Sequence, residues 1–241
     1  MKAIIFAAGL GTRLKPLTDN CPKALVSLNG QPLLWHAIQK LILSGVSEIV
    51  VNVHHFGKQI IDYIHNHQFE VPIYISDERN QLLDTGGGLL KAQQLLKGDA
   101  PIIAYNVDIV SSVNLSVIVD WHERHHALAT LVVRNRQTNR YLMFDHTMRL
   151  SGWQNMATGE TKIVTEEFEN STPFAFSGIQ VLSPAIFDLI TEHGKFSVTD
   201  LYLRLARQHN IMGFRDSSDF WVDVGKPGQL EIAKKYLQKH N

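Results

Sequence analysis

Lys2-Ala3-Ile4-Ile5-Phe6-Ala7-Ala8-Gly9-Leu10-Gly11-Thr12-Arg13 follows the initial methionine. An apolar run that breaks into two glycines predicts a strand buried on both faces, ending in a tight turn. In an open parallel sheet, ligands bind beyond the C-terminal ends of the strands. Gly9 and Gly11 carry no side chain there, so backbone N–H groups can approach a phosphate or a base. Thr12 adds a hydroxyl, and Arg13 a planar fork suited to phosphate oxygens. Two common nucleotide loops do not match. A G-x-G-x-x-G fingerprint needs Gly or Ala where Leu14 stands, and no Gly-Lys-Ser/Thr of a P-loop occurs.

Strand and helix patterns then alternate. Leu33, Leu34, Ala37, Ile38, Leu41 and Ile42 recur at helical spacing, with Pro32 in the first turn and Gly45 past the end. Further helices are expected over 56–67, 87–96, 113–126, 183–191, 198–209 and 226–240. Strands are expected over 48–53, 71–75, 101–105, 128–133, 174–182 and 211–215. This rhythm implies a mostly parallel sheet with helices on both faces. Residues 134–173 are more polar and irregular, and suit an antiparallel ribbon or a lid. With no linker, repeat or low-complexity stretch, one domain over 1–241 is expected.

Lys and Arg total 23, as do Asp and Glu, so the absence of a basic excess argues against a general nucleic-acid binder. The one cysteine, Cys21, excludes an internal disulfide and suits a reducing compartment. The apolar run near the N-terminus is too short for a signal peptide, and no run is long enough to span a membrane. A cytoplasmic protein, either a monomer or a small homo-oligomer, is expected.

Several polar residues stand where chemistry could be carried, each with an ordinary alternative. Lys23 follows Pro22 on a loop, as surface lysines do. Asp108, in Asn106-Val107-Asp108 after the strand over 101–105, could cap a turn or meet a metal-bound phosphate, since Mg²⁺ takes one or two carboxylates plus phosphate oxygens. Asp223 lies in Trp221-Val222-Asp223-Val224-Gly225, which alone could be a strand and turn. Thr85-Gly86-Gly87-Gly88 holds more glycine than a turn needs, which suggests backbone against a flat ligand. Gly178 inside a strand marks a bulge or a close approach. The histidines show no metal-ligand spacing and read as surface residues, and Cys21 has no evident base partner. Glu166-Glu167-Phe168-Glu169 reads as a solvated acidic face.

Gly9-Leu10-Gly11-Thr12-Arg13, Pro16-Leu17-Thr18, Pro22-Lys23 and Gly30-Gln31-Pro32-Leu33-Leu34 stand in an informative order and spacing. They resemble the N-terminal signature of the sugar-1-phosphate nucleotidyltransferases. Leu83-Asp84-Thr85-Gly86-Gly87 and the Trp-x-Asp-x-Gly at 221–225 extend the resemblance over nearly the whole chain. It implies an α/β, Rossmann-like open sheet, mostly parallel, with a small sugar-side subregion. Residues 1–133 would bind nucleotide and 134–241 sugar. On the nucleotide it implies Ala7, Ala8, Gly9, Gly11, Thr12, Arg13, Lys23, Glu78, Thr85 and Gly86, with Arg13 and Lys23 acting on the phosphates. Asp108 and Asp223 would hold Mg²⁺. Asn106, Gly178 and Lys162 would face the sugar.

Two departures stand out. Val107 replaces the glycine that usually precedes the family's aspartate, and no Glu-Lys-Pro precedes the strand over 174–182, leaving Lys162 as the nearest substitute. The compact form resembles N-acetylmuramate-1-phosphate uridylyltransferases and short mannose-1-phosphate guanylyltransferases. The expected partners are UTP and N-acetylmuramate 1-phosphate. A cation among Arg134, Arg136, Arg140 and Lys162 would then serve the lactyl carboxylate. GTP with mannose 1-phosphate, another hexose or heptose phosphate, and a non-catalytic nucleotide-sugar binding module are the alternatives.

Overall fold

The computed structural model describes residues 1–225 and 227–240. Four strands form its centre: Ile73–Asp77, Glu48–Val53, Lys2–Phe6 and Ile102–Asn106 lie side by side in that order, all parallel. Alternate residues of each strand point to opposite faces. Ala3 and Ile5, with Ile49, Val51 and Val53, pack under the helices Leu33–Ile42, Gly57–His65 and Leu115–Arg124. Ile4, Phe6 and Val50 pack on the other face, against Asp84–Lys91, Gln93–Leu96 and Val198–Leu205. Both faces of Glu48–Val53, Lys2–Phe6 and Ile102–Asn106 are covered, which is why these three strands read as nearly continuous apolar runs. No helix among the described residues is long and apolar enough to cross a membrane.

Ala129–Arg134 runs in the same direction as Ile102–Asn106, as the rhythm predicts, but the two are not neighbours. Thr172–Leu182 is inserted between them, antiparallel to both. Ile211–Arg215 adds to the far side of Ala129–Arg134 in parallel. Residues 134–173 form a ribbon: Arg140–Phe144, Leu150–Asn155 and Thr161–Ile163 pair antiparallel, joined to the sheet through Thr172–Phe174. The lid alternative is therefore set aside.

Smaller differences have local causes. The helix over 87–96 starts earlier, at Asp84, whose φ of 61° lies in the left-handed region, and is broken at Ala92. Residues Pro184–Leu189 form a 3₁₀ turn. The last helix is Pro227–His240, and Lys226, where a helix start was expected, lies outside the described residues.

Ile109–Ser111 pairs antiparallel with Trp221–Asp223, Ile109 opposite Asp223. A third apolar cluster secures this small ribbon, joining Val110, Val222 and Val224 to Leu14 and Val26 beside the glycine turn and to Ala233 of the last helix. Three distant parts of the chain are thereby held together beyond the C-terminal ends of the central strands Lys2–Phe6 and Ile102–Asn106.

Candidate active site

The first strand ends at Phe6, and its backbone donors must then find other acceptors. Ala7 and Ala8 N–H both donate to Asn52 Oδ1, at 2.7 and 3.2 Å. Gly9 is exposed, and a Cβ there would meet nothing within 4 Å, so its missing side chain leaves open space rather than room for a protein neighbour. Gly11 takes φ 67°, and its carbonyl accepts from Thr18 Oγ1 at 2.8 Å. The turn Thr12–Leu14 is anchored by fully buried Leu14 and leaves Thr12 and Arg13 exposed.

Pro22 is extended, and Lys23–Leu25 makes the next turn. Lys23 Nζ donates to Asp108 Oδ2 and lies 3.9 Å from Asp223 Oδ1. Arg13 Nη2 lies 3.6 Å from Asp223 Oδ2. Gly225 N–H donates to Asp223 Oδ1 at 2.8 Å, and Val224 N–H to the Asp108 carbonyl at 2.9 Å. A Cβ on Gly225 would stand 2.7 Å from both Arg13 Nη2 and Asp223 Oδ1, so a larger residue here would push these side chains aside. Burial pushes the Asp108 carboxyl up; the Lys23 ammonium pulls it down, and neighbouring Asp223 pushes it up again.

Two carboxylates converging on one ammonium form a place that already holds a cation. Among the described residues no group of three or more His, Cys, Asp or Glu could hold a metal ion. Mg²⁺ characteristically takes one or two carboxylates and completes its octahedron with substrate phosphates and water. The donor set fits such an ion, and Asp108 and Asp223 are the residues that would hold it.

Two cavities open beside this cluster. One, of about 350 Å³, reaches Gly9, Asn52, Thr85, Asn106, Asp108 and Lys195. The other, of about 630 Å³, reaches Arg13, Arg136, Arg140, Trp221, Asp223 and Gln229. The Arg136 guanidinium lies 4.5 Å from the Trp221 ring centre, and its Nη2 donates to the Phe176 carbonyl at 2.9 Å.

Four expected site residues have other surroundings. Glu78 is wholly buried and lines neither cavity; its Oε1 accepts from Asn52 Nδ2 at 2.8 Å. Gly86 N–H donates to the Phe196 carbonyl at 3.0 Å, and a Cβ on Gly86 would overlap the Phe196 ring at 2.3 Å. Protein atoms therefore occupy the space left by the missing Gly86 side chain, where the sequence suggested a flat ligand. Lys162 pairs with Asp200 at 2.7 Å and lines a different surface depression. Gly178, with φ 76°, sits where the register of Thr172–Leu182 shifts, packed against Asn106 and Ile109, so it marks a bulge. Of the other cations in the ribbon, Arg134 is committed to buried Asp216 at 2.6 Å and to Ser218.

Asn52 and Lys195 line the first cavity without having been singled out in the sequence, while Asp84 and Trp221 stand in the quoted motifs without an assigned role. Of the first two, Asn52 left a signal, as the polar residue in the otherwise apolar run Ile49–Val53 of Glu48–Val53.

Residues 2–240 match the family described as nucleotidyl transferase. An N-acetylmuramate alpha-1-phosphate uridylyltransferase from Caulobacter vibrioides is 32% identical over 243 residues, covering 96% of this chain and 94% of that protein. A mannose-1-phosphate guanyltransferase from Yarrowia lipolytica is 26% identical over 230 residues, covering 94% of this chain but 61% of that protein. Among solved structures, a UDP-glucose pyrophosphorylase from Acinetobacter baumanii superposes with a TM-score of 0.81 at 17% identity, covering 99% of this chain and 94% of that one. HddC from Yersinia pseudotuberculosis gives 0.77 at 22% identity, covering 98% and 99%. These two likenesses are of fold.

Proposed function

The chain belongs to the nucleotidyl transferase family, and on that premise we propose that it joins the nucleoside monophosphate of a triphosphate to a sugar 1-phosphate, releasing pyrophosphate. The observation that carries the proposal is the convergence of Lys23 and Asp108, which line the smaller cavity, with Arg13 and Asp223, which line the larger.

The chemistry asks little of a base. A phosphate monoester is anionic at neutral pH, so its oxygen attacks the α-phosphorus directly. A new P–O bond forms as the bond to the β-phosphate oxygen breaks, and the electron pair leaves with pyrophosphate. The barrier is then lowered by alignment and by charges placed where negative charge gathers. Lys23, held by Asp108, supplies a fixed positive charge next to the α-phosphate. Arg13, exposed on its turn, offers a planar fork to the departing pyrophosphate. Gly9 leaves space for the triphosphate against the Ala7–Ala8 backbone. Mg²⁺ held by Asp108 and Asp223 would neutralise phosphate charge.

For the substrate pair, we favour UTP with N-acetylmuramate 1-phosphate. The support is 32% identity to a uridylyltransferase matched over 94% of its length, together with the cations of the larger cavity. Arg134 and Lys162 are committed elsewhere, which leaves Arg136 and Arg140 facing that cavity for a lactyl carboxylate. GTP with mannose 1-phosphate is the second reading, favoured by similarity to several guanyltransferases at 26–28% identity. A comparison of kcat/KM separates them: UTP with N-acetylmuramate or N-acetylglucosamine 1-phosphate, against GTP with mannose 1-phosphate. A tenfold advantage for the muramate pair, about 1.4 kcal/mol of transition-state preference, is expected. A tenfold advantage for the guanylyl pair transfers the assignment to the second reading.

A further inference from the structure

The nucleotide wall rests on a buried pair that lies almost entirely behind it. Asn52 is 2% exposed and stands in register with Phe6, the last residue of the central strand. Glu78 is 0% exposed. Its backbone is tied to the end of the neighbouring strand, because its N–H donates to the Val53 carbonyl at 2.8 Å and its carbonyl meets His54 Nδ1 at 2.7 Å. Its carboxylate receives Asn52 Nδ2 at 2.8 Å and Leu83 N–H at 3.4 Å.

A primary amide is a donor at one end and an acceptor at the other, and nothing in its shape fixes which way it faces. Burial pushes the Glu78 carboxyl up, and its Oε1 is the acceptor that Asn52 Nδ2 meets here. Glu78 therefore selects the orientation in which Asn52 Nδ2 faces inward, leaving Oδ1 to accept from Ala7 and Ala8. In the flipped amide, an NH₂ would confront two N–H groups and an oxygen would confront a carboxylate. The selection passes from Glu78 to the backbone of the glycine turn without Glu78 reaching the cavity. Gly88 completes the arrangement from the other side. A Cβ there would stand 2.7 Å from Glu78 Oε1 and 2.9 Å from Asn52 Nδ2.

We propose that Glu78 is a positioning residue for triphosphate binding: through the orientation of Asn52 it fixes the Ala7–Ala8 wall of the nucleotide cavity, and Gly88 is glycine to admit this buried brace. The proposal rests on the nucleotidyl-transfer reading for the identity of the ligand. It removes Glu78 from direct contact with the base.

Four variants, Glu78→Gln, Glu78→Leu, Asn52→Leu and Gly88→Ala, test the brace. Three quantities are measured on each: the melting temperature, the equilibrium affinity for a non-hydrolysable UTP analogue, by calorimetry, and the separate KM values for triphosphate and sugar 1-phosphate. Both leucine variants are expected to weaken analogue binding and raise the triphosphate KM at least tenfold, with the sugar phosphate KM within about twofold. Glu78→Gln still offers Asn52 an acceptor and is expected to stay within about threefold of wild type, with unchanged preference among bases.

Gly88→Ala is the arm that does not remove a buried polar group. Alanine suits a helix better than glycine, yet triphosphate affinity is expected to fall. Variants that melt earlier but bind the analogue like wild type overturn the brace and leave a purely structural pair. An altered base preference in Glu78→Gln also overturns it, in favour of direct base contact. Failure of the wild-type chain to bind any triphosphate analogue overturns both the brace and the reading beneath it, whereas normal wild-type binding with unaffected variants overturns the brace alone.

Discussion

The wall built from residues 7–11, 52 and 78–88 and the wall built from residues 134–140, 176–178 and 216–225 hold their polar groups by different means. In the first, backbone amides and one asparagine satisfy each other, with Glu78 as the single buried carboxylate. In the second, full charges face each other: Arg134 pairs with Asp216, Asp223 faces Arg13 from the glycine turn, and Arg136 lies over Trp221. A network of amides keeps its shape whether or not a charged ligand is present. A wall of ion pairs has cations that can be redistributed to a ligand, and it depends on salt where it is exposed. Under the proposed function, the first wall would be a preformed nucleotide seat and the second a charge-bearing side for sugar and metal. Lys23 lies at their junction.

The largest effects are expected at that junction. Asp223→Asn and Asp108→Asn each should lower turnover by orders of magnitude, with the circular dichroism spectrum unchanged. Near-normal turnover of Asp223→Asn across a range of Mg²⁺ concentrations would break the junction. Next come Lys23→Ala and Arg134→Ala, which remove cations of opposite purpose. Lys23→Ala should lower kcat/KM about 10²–10³-fold, as loss of a preorganised electrostatic contact does. Arg134→Ala leaves Asp216, 5% exposed, without its ion-pair partner, and should destabilise the fold by about 3–5 kcal/mol with KM values near wild type. Steady-state kinetics and denaturant melts on the same two variants check this. The contrast fails if Arg134→Ala is kinetically impaired and Lys23→Ala merely melts earlier.

A smaller effect sharpens the reading of the charged wall. Arg140→Ala should raise KM for a carboxylate-bearing sugar 1-phosphate several-fold and leave KM for N-acetylglucosamine 1-phosphate unchanged; equal effects on both would assign Arg140 to the phosphate. The smallest concerns the sheet behind that wall. His122 is buried, pairs with Thr130 Oγ1 at 2.8 Å, and burial lowers its pKa from 6.5 to about 4. Between those values the unfolded chain takes up a proton that the folded chain refuses. This contribution to stability is therefore complete above about pH 6.5 and is lost progressively down to about pH 4. Urea melts across that window should show a shallower pH slope for His122→Gln than for wild type.

The same two walls differ in how far they can be read from residues alone. Glu48–Val53 and Ile211–Arg215 have the limits that their apolar pattern predicts, because buried strands leave local signatures. Lys23, Asp108 and Asp223 each stand in a short motif. Their convergence depends on Ile109–Ser111 pairing with Trp221–Asp223, a contact between segments so distant that no local period encodes it. The insertion of Thr172–Leu182 is illegible for the same reason. The glycines show a second limit. Gly9 lacks a side chain beside open space, whereas Gly86 and Gly88 lack one because Phe196 and the Glu78–Asn52 pair occupy the position. Sequence records the missing Cβ and not what replaces it. Glu78 illustrates the matching limit for polar residues, since a carboxylate near a loop is ordinarily solvated and its burial follows only from the assembled fold.

Pyrophosphate release tests the central assignment most directly. The wild-type chain is mixed with Mg²⁺, each of five nucleoside triphosphates and a panel of sugar 1-phosphates, with controls lacking the sugar and a parallel series with Asp223→Asn. The assignment predicts pyrophosphate only when a triphosphate and a sugar 1-phosphate are both present, highest with UTP and N-acetylmuramate 1-phosphate, and its loss in Asp223→Asn. Triphosphate binding without pyrophosphate from any pair, or release that Asp223→Asn leaves undiminished, would contradict it.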